Sequence, residues 1–550
     1  MYLALPLPYN AVSKGAWSAL VLYGLLPWII SLVAVQLPSD KLGVWRRIIA
    51  LGLLTAVAAA FVPFAIVLLL GCVVALVIGT LLVGAKVGRL VGIGAAGVAA
   101  GLVLSMPFAS GYFRWSALVG ADTDSASPYT VWQLIRFATG PIDESWLGWG
   151  LLLATALPLL VVRGTRFVWV IRGWALVCVS VSMAWLGGRD WLSLPDTEIL
   201  LVPAGVGFAI AAAMGMAALE SDLPSFRFGW RQLVPFVGVA ALIILMVPVL
   251  AASVGGRWNT AKGDYATPLA ALSDDNYRVL WLGHPDVLPG VGRELTDDLG
   301  YGVGMGVSAQ VSDLWNPSPI DKPLKDAIAY ARAGSSNRLG RLLAQMGIRY
   351  VVVAESLAPS PDPPLTRPVP AWVETVLNEQ LDMRRVDLRE GIVVHENLAA
   401  APLVLGVTGG WLDNAEEFNN IVSTPLPEVA TAGVCEVTEV LGCDVSARSA
   451  TGSIAPGTDV YPGTDVYVAS GSSSWRVSTD SGKADSSQVF GWAQIFDTAD
   501  SPGGVVTVSH STPGGYRAAI VLQLVAWILA LAFLVIARRG SRKTLQGEVL

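Results

Sequence analysis

The sequence predicts a polytopic α-helical membrane protein of about nine spans. It also predicts an extracytoplasmic domain that is α/β in its first part and β-sandwich-like in its second. Three observations carry this. Hydrophobic residues make up 53% of the chain and charged residues 14%, against about 25% charged in soluble globular proteins. Nine apolar stretches each suit a membrane span, eight before residue 256 and the ninth almost at the C-terminus. A polar segment of domain size, Gly256–Tyr516, lies between the last two. The net charge of −6 is modest and the acids concentrate in the polar segment, so no nucleic-acid partner is expected. Such an anchor excludes a soluble enzyme.

A spanning helix needs about 20 mostly apolar residues, because the hydrocarbon core is about 30 Å thick. The candidates are Ala16–Gln36, Ile48–Phe61, Pro63–Gly84, Leu90–Pro107, Trp146–Val162, Gly173–Gly187, Ile199–Leu219, Leu233–Val254 and Ala518–Ala537. Ile48–Phe61 is short enough to be half a hairpin, with Pro63 parting it from the next run. None of the nine contains an interior Lys, Arg, Asp or Glu, which argues against an ion-coupled transporter. The expected domains are a membrane domain over 1–255, an α/β domain over 256–400, a β-rich domain over 401–516, and a final span with a tail over 517–550.

The basic residues set the orientation, since positive charges stay cytoplasmic. Lys41, Arg46 and Arg47 follow the first span, Lys86 and Arg89 the third, and Arg163, Arg166 and Arg172 the fifth. Arg227 and Arg231 follow the seventh, and Arg538, Arg539, Arg542 and Lys543 the ninth. Every cluster falls in an odd-numbered loop. The plasma-membrane protein is therefore expected to place its N-terminus and residues 256–516 outside and its C-terminus in the cytoplasm. The first fifteen residues carry no signal peptide. They are expected to be an outer loop, either because the chain continues a longer one or because it inserts N-out by itself; the first is preferred.

Two outer loops bear the candidate chemistry. The first, Phe108–Ser145, holds Arg114, Trp115, Asp122, Asp124, Trp132, Arg136 and Asp143. Trp132–Phe137 reads as a short interfacial helix, with Trp132 and Phe137 as anchors. The second loop, Gly188–Thr197, adds Arg189, Asp190 and Trp191, with Glu198 at the mouth of the next span. Arginines clamp phosphate bidentately, aromatic faces take sugar rings, and a carboxylate can act as base on a hydroxyl. Asp122, Asp124, Asp143 and Asp190 are thus the candidate catalytic residues. Arg114, Arg136, Arg189, Trp115 and Trp191 are the candidate lipid-phosphate or sugar ligands. Ordinary solvated loop and interface residues are the competing explanation for each.

In the polar segment Tyr277–Gly283 reads as a strand, and Pro323–Ala333 and Arg338–Met346 as helices. Gly347 closes the second helix before a buried strand, Ile348–Ala354. A short helix follows near Trp372–Gln380, then a hairpin, Met383–Leu388 and Ile392–Glu396, turned at Glu390-Gly391. Beyond about residue 400, Val466–Ala469, Trp475–Ser478, Val489–Ile495 and Gly504–Ser509 fit an antiparallel sandwich. The pentapeptide Gly457–Tyr461 recurs at Gly463–Tyr467. Cys72 and Cys178 fall in spans and read as buried small hydrophobes. Cys435 and Cys443 read as a disulfide rather than a metal pair, because no histidine accompanies them. His284, His395 and His510 are too scattered for a zinc site, and no metal or other cofactor is expected. Gly300–Gly306 mimics a phosphate loop without the lysine and reads as a flexible loop.

The segments Pro6–Asn10 (PLPYN), Leu22–Ile29, Leu134–Pro141 (LIRFATGP), Tyr277–Gly283, Leu339–Val353, Val393–Asn397 (VVHEN) and Phe490–Trp492 stand out. Together they resemble the large actinobacterial membrane glycosyltransferases: the arabinofuranosyltransferase-like enzymes of the GT-C type and relatives fused to a family-2 glycosyltransferase domain. The resemblance is to the C-terminal half of such proteins and rests on packing and loop elements. It implies transfer of sugar from a polyprenyl-phosphate donor to a cell-envelope polysaccharide on the outer face. It also implies a separately encoded N-terminal half as a partner, besides the bilayer and the lipid-linked sugar. The chain departs from the family where its catalytic carboxylate should lie, in the first outer loop. Asp122-Thr-Asp124 spells D-x-D but is placed outside, unlike the cytoplasmic motif of family-2 domains. The alternative is therefore a non-catalytic membrane scaffold or glycan-binding partner of a transferase.

Overall fold

The computed structural model describes residues 1–13, 16–35, 41–113, 115, 118, 129–140, 142, 148–187, 194–222, 233–254, 269, 272, 277–284, 287–288, 293–296, 299–305, 320–356, 366–389, 391–401, 403–408, 458–460, 464–470, 474–479, 482–498, 504–510 and 514–547. The chain forms two compact units. One comprises Met1–Thr260 with Tyr516–Leu550, the other Ala261–Gly515.

The first unit is helical. Its helices are α1 (Pro6–Ser13), α2 (Trp17–Ala34), α3 (Lys41–Phe61), α4 (Ala65–Leu81), α5 (Gly88–Leu104), α6 (Val131–Arg136), α7 (Trp149–Val161), α8 (Thr165–Gly187), α9 (Thr197–Asp222), α10 (Leu233–Val254) and, from the far end of the chain, α14 (Gly514–Gly547). Among the described residues five helices are long and apolar enough to cross a membrane: α2, α3, α8, and the apolar parts of α9 and α14, Thr197–Ala218 and Gly514–Arg538. Three shorter apolar helices, Ala65–Leu81, Gly88–Leu104 and Trp149–Val161, and the apolar part Val237–Ala251 of α10, lie where the other spans are predicted. A 13-residue helix such as α7 is about 20 Å long, short of the hydrocarbon core. Five helices thus meet the length and composition criterion among the described residues.

Two boundaries move. The stretch read as a possible half-hairpin is a full 21-residue helix, because α3 begins at Lys41 and carries Arg46 and Arg47. Helix α8 begins at Thr165, so Arg166 and Arg172 lie within it rather than in the preceding loop. The chain therefore does bury an arginine in an apolar helix.

The helices run in alternating directions. Gly97 lies against Leu51 and Gly101 against Thr55, so α5 is parallel to α3. Gly79 lies against Arg172 and Gly71 against Met183, so α4 and α8 are antiparallel. Gly173 meets Gly207 while Ser180 bonds the Leu200 carbonyl, which makes α8 and α9 antiparallel. Gly150 on Ala241 and Gly238 on Leu157 do the same for α7 and α10. These pairings are those an up-and-down course requires. Helix α14 docks at one end of α5, where Gln523 Nε2 and Trp527 Nε1 both donate to the Leu104 carbonyl at 3.0 and 2.9 Å.

The outside of this unit is apolar. Leu70, Val74, Ile78, Leu81, Val103, Leu160, Leu522, Leu529 and Ile536 are all exposed. An apolar surface of that extent cannot face water, and it suits lipid. The chain is a multi-pass helical membrane protein. Cys72 is buried as expected, but Cys178 lies on the exposed side of α8, since a lipid-facing position accepts a small hydrophobe equally well.

The second unit centres on a six-stranded sheet of order β2-β3-β1-β4-β6-β5. Its strands are β1 (Arg278–Gly283), β2 (Arg293–Thr296), β3 (Leu299–Met305), β4 (Ile348–Ala354), β5 (Met383–Arg389) and β6 (Ile392–Asn397). Only β1 and β4 pair in parallel; the other four pairings are antiparallel. Helices α11 (Asp321–Arg332), α12 (Leu339–Ala344) and α13 (Ala371–Asn378) supply apolar residues to its core. The glycine-rich Gly300–Gly306 run is not a loop: most of it is β3, paired along the whole of β1. Alternate glycines leave its backbone free to pair, and Tyr301 fills the core.

Two four-stranded sheets follow, β11-β10-β14-β8 and β12-β13-β9-β7. Their strands are β7 (Val404–Thr408), β8 (Thr458–Val460), β9 (Thr464–Val468), β10 (Trp475–Thr479), β11 (Gly482–Lys483), β12 (Ser486–Val489), β13 (Ala493–Phe496) and β14 (Gly504–His510). The single strand read over Val489–Ile495 is instead a hairpin. It turns at Phe490, whose φ is +57°, and Gly491, whose φ is +71°. The duplicated pentapeptide is split between sheets, one copy in β8 against β14 and the other in β9 between β13 and β7. Tyr467, Val489, Trp492 and Ile495 join Leu324, Leu343 and Val373 in one core, so the sandwich and the α/β layer pack as one body.

Candidate functional site

Of the nine predicted ligands and carboxylates, Trp115 and Arg136 fall among the described residues. Arg114, Asp122, Asp124, Asp143, Arg189, Asp190 and Trp191 lie outside them, as do Cys435 and Cys443. Trp115 is exposed and meets Phe64 edge-on, with centroids 6.1 Å apart.

Arg136 ends α6, and that helix is short for local reasons. Thr130 caps its start by accepting from the Gln133 amide, while the Gln133 side chain accepts from the Thr130 amide. This reciprocal box satisfies two donors that a helix start leaves open. Phe137 ends it in the left-handed region, φ +57°. The expected interfacial anchor at Phe137 does not hold. Its ring is fully buried and sits edge-on to Phe208 at 5.8 Å, because the left-handed cap turns it into the bundle. Trp132, by contrast, is 59% exposed.

Arg136 is placed by this geometry. Its Nε donates to the Trp132 carbonyl at 3.1 Å, and its guanidinium lies 5.1 Å from the centre of the Trp149 ring. Trp132 and Trp149 are 5.5 Å apart at 43°. One cation and two exposed indoles thus share the edge of the membrane unit. A cation over an aromatic face is stabilised by the ring quadrupole, and the same cluster presents flat apolar faces beside a planar guanidinium.

The segment that holds α6 in place comes from the other end of the unit. Asn10, fully buried in α1, donates through Nδ2 to the carbonyls of Phe137 and Ile142 at 2.9 and 3.0 Å. It accepts the Ile142 amide at 3.0 Å. The first residues are therefore a helix and an anchor for the α6 turn, not a simple loop. Sequence reasoning gave Asn10 no role of its own; a lone amide inside PLPYNAV was the available signal. Glu198 was also passed over as a ligand. It lies in the first turn of α9 and is 4% exposed, where the helix macrodipole favours an anion. It is the buried acid of the membrane unit among the described residues.

The second unit holds its own polar cluster. Arg293 pairs with Asp321 at the start of α11, Lys325 lies over the Tyr301 ring at 5.6 Å, and burial together with Asp321 pushes the Tyr301 hydroxyl well above its ordinary range. No cluster of His, Cys, Asp and Glu able to hold a metal occurs among the described residues.

No protein-family model matches the chain, and no curated protein matches it. Among solved structures it is similar to arabinofuranosyltransferase AftD from Mycobacteria, at 15% identity and a TM-score of 0.38, over 94% of this chain and 48% of that one. A mutant of the same enzyme gives 15% identity and a TM-score of 0.31, over 94% of this chain and 52% of that one. The chain spans about half the length of the structures it resembles.

Proposed function

We propose that this chain is part of a membrane glycosyltransferase that takes sugar from a polyprenyl-phosphate donor at the outer face and passes it to a cell-envelope polysaccharide. The observation that carries the reading is the Trp132–Arg136–Trp149 cluster at the edge of an apolar bundle. A prenyl phosphate presents an anion at the depth where a lipid-facing surface ends. Arginine meets it with a planar fork, and the indole faces suit the sugar ring. Arg114 and Arg189, from the two outer loops, supply further phosphate contacts in this reading, and Trp115 and Trp191 further faces. One of Asp122, Asp124, Asp143 and Asp190 takes the acceptor proton. Glu198 joins them as a buried carboxylate at the start of α9.

The test is single replacement, carboxylates by Ala and Glu198 by Gln, scored for envelope glycan in a deletion strain. Loss of a general base costs about 10²–10⁴-fold in turnover. Arg136→Ala is expected to weaken donor use, and Arg136→Lys to restore only part of it, since the ammonium lacks the fork. Full complementation by every variant would leave the chain a non-catalytic scaffold or glycan-binding partner.

A further inference from the structure

We propose that Arg172 holds the headgroup phosphate of an anionic phospholipid, in the leaflet at the end of the bundle that bears Lys86, Arg163 and Arg166. The inference rests on the membrane reading and is independent of sugar transfer. Arg172 lies seven residues after Thr165, about 10 Å of helix inside the start of α8, and is only 7% exposed. Its Nε donates to Thr80 Oγ1 at 2.9 Å, and Thr80 spends its own proton on the Leu76 carbonyl at 2.6 Å. The Trp169 ring lies 5.1 Å beneath the guanidinium carbon. Gly79 lets the helices meet here; a Cβ on it would stand 2.9 Å from the Arg172 Cα.

The plane of the guanidinium is thus fixed from two sides. Among the described residues neither Nη has a hydrogen-bond partner and no carboxylate pairs with the charge. A cation at this depth needs a counter-charge. Phosphate fits the open edge of the fork bidentately. Lys86 and Arg163 are exposed at the same end and raise the local potential, favouring an anionic over a zwitterionic headgroup. Exposed Ile78, Leu81 and Leu82 flank Thr80 and offer a surface for acyl chains, which a free phosphate would not use.

The experiment is native mass spectrometry of the delipidated full chain, titrated with phosphatidylglycerol, phosphatidylcholine or inorganic phosphate. One phosphatidylglycerol is expected to be retained in preference to phosphatidylcholine. Its binding should weaken about tenfold or more in Arg172→Gln and stay unchanged in Arg338→Gln, a surface control. Equal retention of the two lipids, wild-type binding in Arg172→Gln, or displacement of the lipid by millimolar phosphate would each overturn the proposal. If Arg172→Gln does not fold, Trp169→Leu and Thr80→Val decide it. Each loosens the fork and should weaken binding by about threefold, and wild-type binding in both sinks the idea.

Discussion

Asn10 and Ile142, 132 residues apart, exchange two hydrogen bonds of 3.0 Å, side-chain amide to carbonyl and backbone amide to side-chain oxygen. The asparagine thereby takes the place of a paired strand for a backbone that has none. A second asparagine does comparable work in the polar unit. Asn397 donates to the carbonyls of Gly340 and Ile348 at 2.8 and 2.9 Å, beside Asp382, which accepts the Gly340 and Arg341 amides at the start of α12. Each asparagine lies against a glycine: a Cβ on Gly140 would come within 2.8 Å of Asn10, and one on Gly340 within 2.4 Å of Asn397.

Asn10→Ala is expected to destabilise the membrane unit by about 3 kcal/mol, since it strands buried backbone groups at Phe137 and Ile142. Thermal unfolding of purified protein in detergent reads this. Tyr9→Phe, which removes an exposed bond to Leu3, should change little by comparison. Equal melting temperatures for Asn10→Ala and wild type would contradict the account.

Gly207→Val is expected to prevent assembly of the bundle. Gly173 and Gly207 face each other across α8 and α9, and a Cβ on Gly207 would lie 2.3 Å from the Gly173 carbonyl oxygen. Rigid backbone stands there, so no side chain can yield. Gly92→Val, with open space around it, is the comparison. Size-exclusion profiles of the two should differ, with Gly207→Val aggregated and Gly92→Val monodisperse.

Stability of the polar unit is expected to fall at alkaline pH. Tyr467 is buried, donates to the Gln345 carbonyl at 2.9 Å, and has its pKa driven up by burial; Tyr301 behaves likewise. In the unfolded chain both titrate near 10. Above that pH the unfolded state binds fewer protons than the folded one, so stability drops as pH rises. Below it their contribution is constant. The melting temperature should be flat with respect to these groups up to about pH 9 and decline above about pH 10, with a shallower decline in Tyr467→Phe. A rise across the same interval would be the wrong sign.

Residues 256–516 are expected to be extracytoplasmic, on the strength of the basic loops. Ser472→Cys should react with an impermeant maleimide in intact cells. Labelling only after permeabilisation inverts the topology. On the same side, Cys435 and Cys443 should form a disulfide, read as a linked peptide in non-reducing mass spectrometry; free thiols at both positions would remove it.

Hydropathy and spacing by themselves determined the membrane class, the polar insertion before the last helix, and most elements of its α/β layer. The strand Ile348–Ala354 and the helix stop at Gly347, φ +69°, were legible because a β-branched run and a glycine cap are local signals. Tertiary structure decided what depends on a distant neighbour. Whether Gly300–Met305 is loop or strand turns on β1 being there to pair with it. The course of Phe137 turns on Phe208, and the role of Asn10 on a turn 127 residues away. The site shows the same division. Residue types in the loops predicted to be outside nominated Arg136, but only packing brought Trp132 and Trp149 to it and buried Glu198 and Arg172. A sequence records composition and local period, whereas burial and partner choice are set by elements far along the chain.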